Sequence, residues 1–461
     1  MSTAEHLSGA DRAWLLMERP TNLMMILGLI ILETRISPRR LRALVAARFL
    51  AFPRFRCFPV IDALGGRWVE AEQFDLDDHV SSVALPAAGG QTELEALVGE
   101  LSSTPFNPGR PLWTFHLVER YGSGSAIIIR IHHAYADGIA LVQVLLSLAD
   151  GSGPRKPLQR RATLAEGLAE LVPAPFAAAL RTGADLVESG IGYLLHPAAA
   201  TAAARDVLGY AGELVHITAL ADEPATHLKQ PLSGARRAAW GDPLSLEEVR
   251  TIGHVFGCTV NDVLVAILAG ALGRYLTAQG DDITATTRIR AAVPVNLRAA
   301  DEPLTLGNRF GLVFVELPIG IRHPLERLYA VHTSMAEIKG SYQAGATLGL
   351  LTVVGTLPAA AEEPTTAIFS AKASLVISNL PGPREPLRLA GARIGRVLFW
   401  VPEAGSIGTG ISALTYRDAV QFGVISDRQM IQHPRELIAR VAEEFERLVC
   451  LTLLGASSLL K

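Results

Sequence analysis

One stretch constrains this chain more than any other: Ile127-Ile128-Ile129-Arg130-Ile131-His132-His133-Ala134-Tyr135-Ala136-Asp137-Gly138. Its apolar, β-branched start reads as a buried strand, and the strand ends on two adjacent histidines. An Asp and a Gly then lead into an apolar helical pattern over residues 140–148. Strand, tight connection and helix together fix a side chain at the mouth of a cleft. A histidine in that place can act as a base near neutral pH. Asp137 cannot be assumed to touch the His133 ring; it can equally hold the turn, by capping backbone N–H groups or by pairing with an arginine. A bare histidine pair would read as readily as packed structural residues or a metal ligand. The full string on a strand-to-helix connection turns the balance towards chemistry.

Length and composition set the frame for that stretch. At 461 residues the chain exceeds one ordinary core, so two domains are expected. With 49% hydrophobic and 19% charged residues it is a globular and rather apolar chain. A net charge of −3 carries no nucleic-acid signal. Cys57, Cys258 and Cys450 are far apart and form no CxxC, which argues against a disulfide framework or zinc site and fits a reducing, cytoplasmic setting. Residues 1–8 lack the pattern of a secretory signal. The longest apolar segments are 23–32, too short to span a bilayer, and 346–361, broken by Gly355 and Pro358. A soluble or peripheral protein is expected, with attachment to a membrane or lipid inclusion left open.

Taken in order, Ser8 caps a short helix with Asp11 three residues on. A buried strand over 24–33, a helix over 38–50, a strand pair around Arg67-Trp68-Val69 and a helix over 93–103 follow. Residues 74–80 gather Asp75, Asp77, Asp78 and His79, but without the glycine-punctuated pattern of a calcium loop no metal site is assigned. Strands over 111–118 and 125–131 form a hairpin into the histidine loop. From residue 151 the chain turns Gly/Pro-rich and basic, then Ala/Leu-rich, so 151–235 reads as a helical linker between domains 1–150 and 236–461. In the second domain Thr259 or Asn261 can cap a strongly apolar helix, and an amide at that helix start would also suit an oxyanion. Residues 379–383 read as a stiff turn after a strand over 373–378, and 408–416 with 419–425 as a hairpin. There is no dinucleotide fingerprint, Walker-type loop or G-x-S-x-G elbow.

The His132-His133-x-x-x-Asp137-Gly138 string resembles that of the CoA-dependent acyltransferase superfamily, which includes chloramphenicol acetyltransferase and peptide-synthetase condensation domains. Further strings look like the bacterial wax ester synthase/diacylglycerol acyltransferase family: Leu7-Ser8 with Asp11, the run from Phe74 to Val80, Pro111-Leu112-Trp113, Asn261-Asp262, the run from Val293 to Arg298, Gly307-Asn308, and Ser378-Asn379-Leu380-Pro381-Gly382-Pro383. They keep their order along almost the whole chain, with Leu380 where Val is expected.

That resemblance implies an α/β (α+β) protein of two chloramphenicol acetyltransferase-like domains, each a mostly antiparallel or mixed sheet with flanking helices, and a tunnel between them. It implies acyl transfer from a long-chain acyl-CoA to a fatty alcohol, a diacylglycerol or both, with acyl-CoA a substrate and no cofactor. His133 would be the general base, Asn261 the oxyanion donor and His132 a support for the loop. Asp137 would brace the motif, with Arg298 its candidate partner. Gly138 would allow the sharp turn, and Ser378, Asn379, Pro381 and Gly382 would shape the substrate site. The competing readings are another enzyme of the superfamily, condensation-type or polyketide-associated, and a non-catalytic lipid-binding or lipid-body protein.

Overall fold

The computed structural model describes residues 5–62, 65–86, 89–150, 209–210, 212–298, 306–339, 341–356 and 362–459. Most of the expected linker, 151–208, lies outside the described residues.

The first sheet has six strands: β1 (Met25–Leu32), β4 (Val80–Val83), β5 (Trp113–Tyr121), β6 (Gly124–His132), β12 (Arg388–Leu389) and β13 (Ala392–Trp400), in the order β12-β13-β1-β6-β5-β4. Strands β2 (Cys57–Asp62) and β3 (Gly65–Glu70) form a separate hairpin. The second sheet combines β7 (Arg236–Trp240), β8 (Leu244–Ser245), β9 (Ile289–Asn296), β10 (Phe310–Leu317), β11 (Leu375–Pro381), β14 (Thr409–Tyr416) and β15 (Ala419–Asp427), in the order β10-β9-β11-β14-β15-β7 with β8 on β15. Pairing is antiparallel except β4 with β5 and β11 with both its neighbours. Helices α1 (Gly9–Met17), α2 (Pro38–Leu44), α3 (Gln91–Ser102) and α4 (Gly138–Ser147) belong to the first half of the chain. The second half carries α5 (Leu246–Phe256), α6 (Val260–Gln279), α7 (Pro324–Ile338), α8 (Gln343–Val354), α9 (Glu362–Ala371) and α10 (Pro434–Leu459). The mixed α/β class is the expected one.

Sheet membership does not follow the expected boundaries at residues 150 and 236. Strand β13 leaves the second half of the chain and pairs along β1 from Leu27–Trp400 to Leu32–Ile394. This explains why β1 is apolar without alternation: Ile26, Ile30 and Leu32 face one core, while Met25, Leu27 and Leu29 face another shared with Trp240, Leu398, Trp400 and Ile425. Gly423 permits the close approach of the sheets here, since a Cβ at that position would lie 2.7 Å from the Trp400 ring.

Helix α6 is apolar over most of its surface because most of it is buried, from Asn261 to Gly273 without a break. At 20 residues it is long and apolar enough to cross a bilayer, a feature absent from the sequence reading, but 78% of its apolar stretch is buried inside the fold, which makes it a core helix. The helix expected over 38–50 is α2 continued by a π-helical turn, Val45–Phe49. The turn expected at 379–383 begins late: Asn379, Leu380 and Pro381 extend β11 because β14 pairs them as far as Thr415. A proline is tolerated at such a strand end.

A buried polar tie secures the junction. Arg236, on β7, bonds the carboxylate of Glu403 and the side-chain oxygen of Asn22. Asn22 in turn donates to the carbonyls of Gly405 and Ile407, each at 3.0 Å. Glu403 is fully buried, and burial raises its pKa against the pull of Arg236. Removing one partner of such a pair leaves a charge without compensation. Arg236→Ala is therefore expected to lower the unfolding free energy by about 3–5 kcal/mol in urea denaturation, and an Arg236→Met/Glu403→Leu double variant to recover most of the loss.

Candidate active site

The site begins where the second sheet comes apart. Strands β9 and β11 pair only through Leu375–Ala291 and Val376–Ala292. Beyond that point they diverge, and Pro294 on β9 offers no amide hydrogen to a neighbour. A cavity opens in the gap. Ala292, Pro294 and Asn296 line it from β9, and Val376, Ser378, Asn379 and Leu380 from β11. The first half of the chain closes it with Trp14, His133, Asp137, Gly138 and Ile139. A second apolar cavity, walled by α8 and α9, shares Trp14, Ala292, Phe310, Leu312, Ala404 and Ile407 with the first.

His133 follows directly on β6. Its backbone N–H donates to Met24 O at 2.8 Å, and its carbonyl accepts from Asn308 Nδ2 at 2.9 Å. The ring stacks on Trp14 with centroids 4.0 Å apart and lies 5.5 Å from Phe310. Its Nδ1 is buried and has no hydrogen-bond partner among the described residues. Burial pushes the imidazole down to about 4, against the nearby charge of Asp137. The ring is therefore neutral at physiological pH and available to accept a proton.

Asp137 does three things at once. One carboxylate oxygen caps α4 by accepting from Ala140 N–H at 3.0 Å, and the other takes Arg309 N–H at 3.0 Å and the guanidinium of Arg298. Arg298 also donates to Gly307 O at 2.6 Å. Gly307 has φ +118°, a conformation that favours glycine. Asn308 joins the same dock, with Nδ2 bonding both the His133 carbonyl and Asp11 Oδ1, the latter at 2.8 Å. Buried Asp11 is raised in pKa by desolvation, with Arg54 opposing. Strings from residues 8–11 and 307–308, distant in sequence, thus hold the same histidine loop.

His132 points away from the cavity lining. Its Nδ1 accepts from Ala134 N–H at 3.1 Å and its Nε2 lies 3.0 Å from Glu18. Despite burial, that bond to His132 holds the Glu18 carboxyl below the usual range. Leu112 O accepts from His132 N–H at 2.9 Å, which sets the Pro111-Leu112-Trp113 string beside the histidine loop.

Of the two cap candidates, Thr259 caps α6, in a reciprocal box with Asp262. Other expected placements differ. Asn261 is not among the residues lining the cavity; its side-chain oxygen accepts from Asn379 Nδ2 at 2.5 Å, so it reaches the site through Asn379. Gly138 has no positive φ. Space is tight there instead: a Cβ would lie 3.2 Å from the Phe399 ring, which would have to shift by a few tenths of an ångström to admit it. Ser378 and Asn379 line the cavity, whereas Pro381 does not and Gly382 borders a different apolar pocket. In the 74–80 run, Asp77 and Asp78 pair with Arg42 and Arg110, and His79 bonds Trp113 O at 2.8 Å. Cys258, Asp262 and His332 bring ligand-type atoms within 4.8 Å of one another, but Asp262 already serves the Thr259 box and His332. Sequence reading missed Trp14, Glu18, Asn308 and Asn296 as site residues.

An open gap between strands, a neutral histidine on its wall and a loop docked from the other half of the chain thus meet at one site. Residues 7–264 match the model of the wax ester synthase/diacylglycerol acyltransferase catalytic domain, and 306–449 that of the C-terminal domain of the same family. The chain belongs to the wax ester synthase/diacylglycerol acyltransferase family and is an acyltransferase. A putative diacylglycerol O-acyltransferase of Mycobacterium tuberculosis is 30% identical over 83% of this chain and 82% of the relative. Another, of Mycobacterium bovis, is 27% identical over 99% and 93%. Among solved structures, the wax ester synthase/diacylglycerol acyltransferase of Marinobacter aquaeolei matches with a TM-score of 0.69 at 21% identity, covering 97% of this chain and 99% of that one. The starter condensation domain of rhizomide synthetase, solved with C8-CoA, matches at 0.56 with 14% identity, covering 98% and 95%.

Two measurements test the site. Asp137→Ala strips α4 of its cap and leaves Arg298 unpaired, so both the melting temperature and the turnover fall; a variant of wild-type stability that has lost turnover would assign Asp137 a direct chemical role. The pH dependence follows from His133. Its folded pKa, about 4, lies below its unfolded value near 6.5, so the unfolded chain binds more protons between the two. Its contribution to stability is complete above pH about 6.5 and is lost as pH falls towards about 4, while kcat/KM stays level through neutral pH and drops below about 5.

Proposed function

We propose that the enzyme moves a long-chain fatty acyl group from acyl-CoA to the hydroxyl of a fatty alcohol or a diacylglycerol, with His133 as general base and no covalent intermediate. The observation that carries this reading is a neutral imidazole on the wall of an apolar cavity that shares part of its lining with a second apolar cavity. His133 takes the hydroxyl proton as the alcohol oxygen attacks the thioester carbon. The carbonyl π pair moves onto oxygen, giving a tetrahedral intermediate. As that pair returns, the carbon–sulfur bond breaks, and the departing thiolate takes the proton from His133. Ester and free CoA result, and no cofactor enters the balance.

The two cavities suit two chains, since each buried CH₂ contributes roughly 0.8 kcal/mol. Asn261 then acts as a positioning residue for Asn379, and His132 with Glu18 keeps the loop in place. The reading places the enzyme in the cytoplasm, peripheral to a membrane or a lipid inclusion. Val353 and Ile368, on the helices that wall the second cavity, are 54% and 48% exposed, which supports contact with a lipid surface.

The test is release of CoA thiol from palmitoyl-CoA by purified enzyme, with hexadecanol and with a diacylglycerol as acceptors, and identification of the ester formed. His133→Ala should abolish ester formation with the melting temperature preserved; retained turnover would refute His133 as the base.

A further inference from the structure

The transfer just described puts negative charge on the former thioester oxygen, and a mainly apolar cavity needs a donor to meet it. We infer that Asn296 supplies that donor through its side-chain Nδ2, a role the sequence reading gave to Asn261. The inference rests on the acyl-transfer reading of the site.

Asn296 is the last residue of β9 and lines the same cavity as His133. It is 2% exposed. Its Oδ1 accepts the backbone N–H of Arg298 at 3.1 Å, which fixes the amide with its oxygen turned to the backbone and its NH₂ turned away. That NH₂ is buried and has no hydrogen-bond partner among the described residues. An unsatisfied buried donor costs about 1–3 kcal/mol, so a fold tolerates one chiefly where it has a use. Asn261, by contrast, is not among the residues lining the cavity, and its Oδ1 accepts from Asn379 Nδ2 at 2.5 Å.

The anchoring of Asn296 adds a second argument. Arg298, whose N–H orients the amide, is the arginine whose guanidinium holds Asp137. Asn296 also stands opposite Phe310 in the β9–β10 register, and Phe310 is 5.5 Å from the His133 ring. Base and donor are thus set by one set of contacts across the domain junction, the preorganisation that charge stabilisation requires.

The test compares Asn296→Ala and Asn296→Asp with the wild type in steady-state thiol release from palmitoyl-CoA to the acceptor that the wild type uses. The Asp variant keeps the acceptor for Arg298 N–H and removes only the NH₂, so it remains informative where the Ala variant folds poorly. Expected is a fall in kcat of about 10²–10³-fold in both, with KM for palmitoyl-CoA changed by less than about threefold. Binding of a palmitoyl-CoA thioether, which lacks the carbonyl oxygen, should stay at the wild-type affinity in calorimetry. A kcat within about threefold of wild type in either folded variant overturns the assignment, as does an equal loss of thioether binding. Absence of thiol release by the wild type would instead refute the acyl-transfer reading itself.

Discussion

The site depends on Asp137. Its carboxylate is buried, and it closes three bonds that belong to different parts of the chain: a helix cap, a backbone amide beyond β9 and a guanidinium. A carboxylate removed from water must be compensated in this way, because leaving its charge unpaired would cost several kcal/mol. Once it is satisfied by Arg298 and Arg309, the loop carrying His133 has little choice of position. The catalytic ring is thereby fixed through contacts that do not touch the ring itself.

The apolar setting then sets the chemistry. Trp14 and Phe310 cover His133, and the same two rings form part of the wall between the cavities. Desolvation disfavours the imidazolium, so the resting base is neutral and has to hold its proton only during the transfer. The same exclusion of water protects a thioester from hydrolysis and strengthens any donor aimed at the developing oxyanion. A buried base and an apolar chain site are two results of one packing arrangement.

Much of this was legible in the sequence because it is local. The strand ending at His132, the turn to Asp137, the cap of α6 and the buried character of β1 follow from patterns a few residues long. The ordered strings pointed to the family through resemblance, and Arg298 stood only as one candidate partner for Asp137. What could not be read was the meeting of segments far apart in the chain. Trp14 covers a ring 119 positions later, and Asn308 holds a carbonyl 175 positions earlier. Strand β13 was visible as a strand, but nothing in its residues named β1 as its partner. Asn296 lay inside a quoted string, yet its role depends on which donor is left without a partner, and spacing does not record that. Asn261 illustrates the converse: its place at a helix start suggested an oxyanion donor, but it lies off the cavity lining, its side-chain oxygen accepting from Asn379.

The central claim is that His133 is a desolvated, neutral base held where the two halves of the chain meet. The most direct measurement is an NMR titration of the His133 ring in the folded protein, with the resonance assigned by comparison with His133→Gln. The account predicts an apparent pKa close to 4, well below the ordinary histidine value of about 6.5. A value at or above the ordinary one would mean a solvated or charge-paired ring, and would contradict the account.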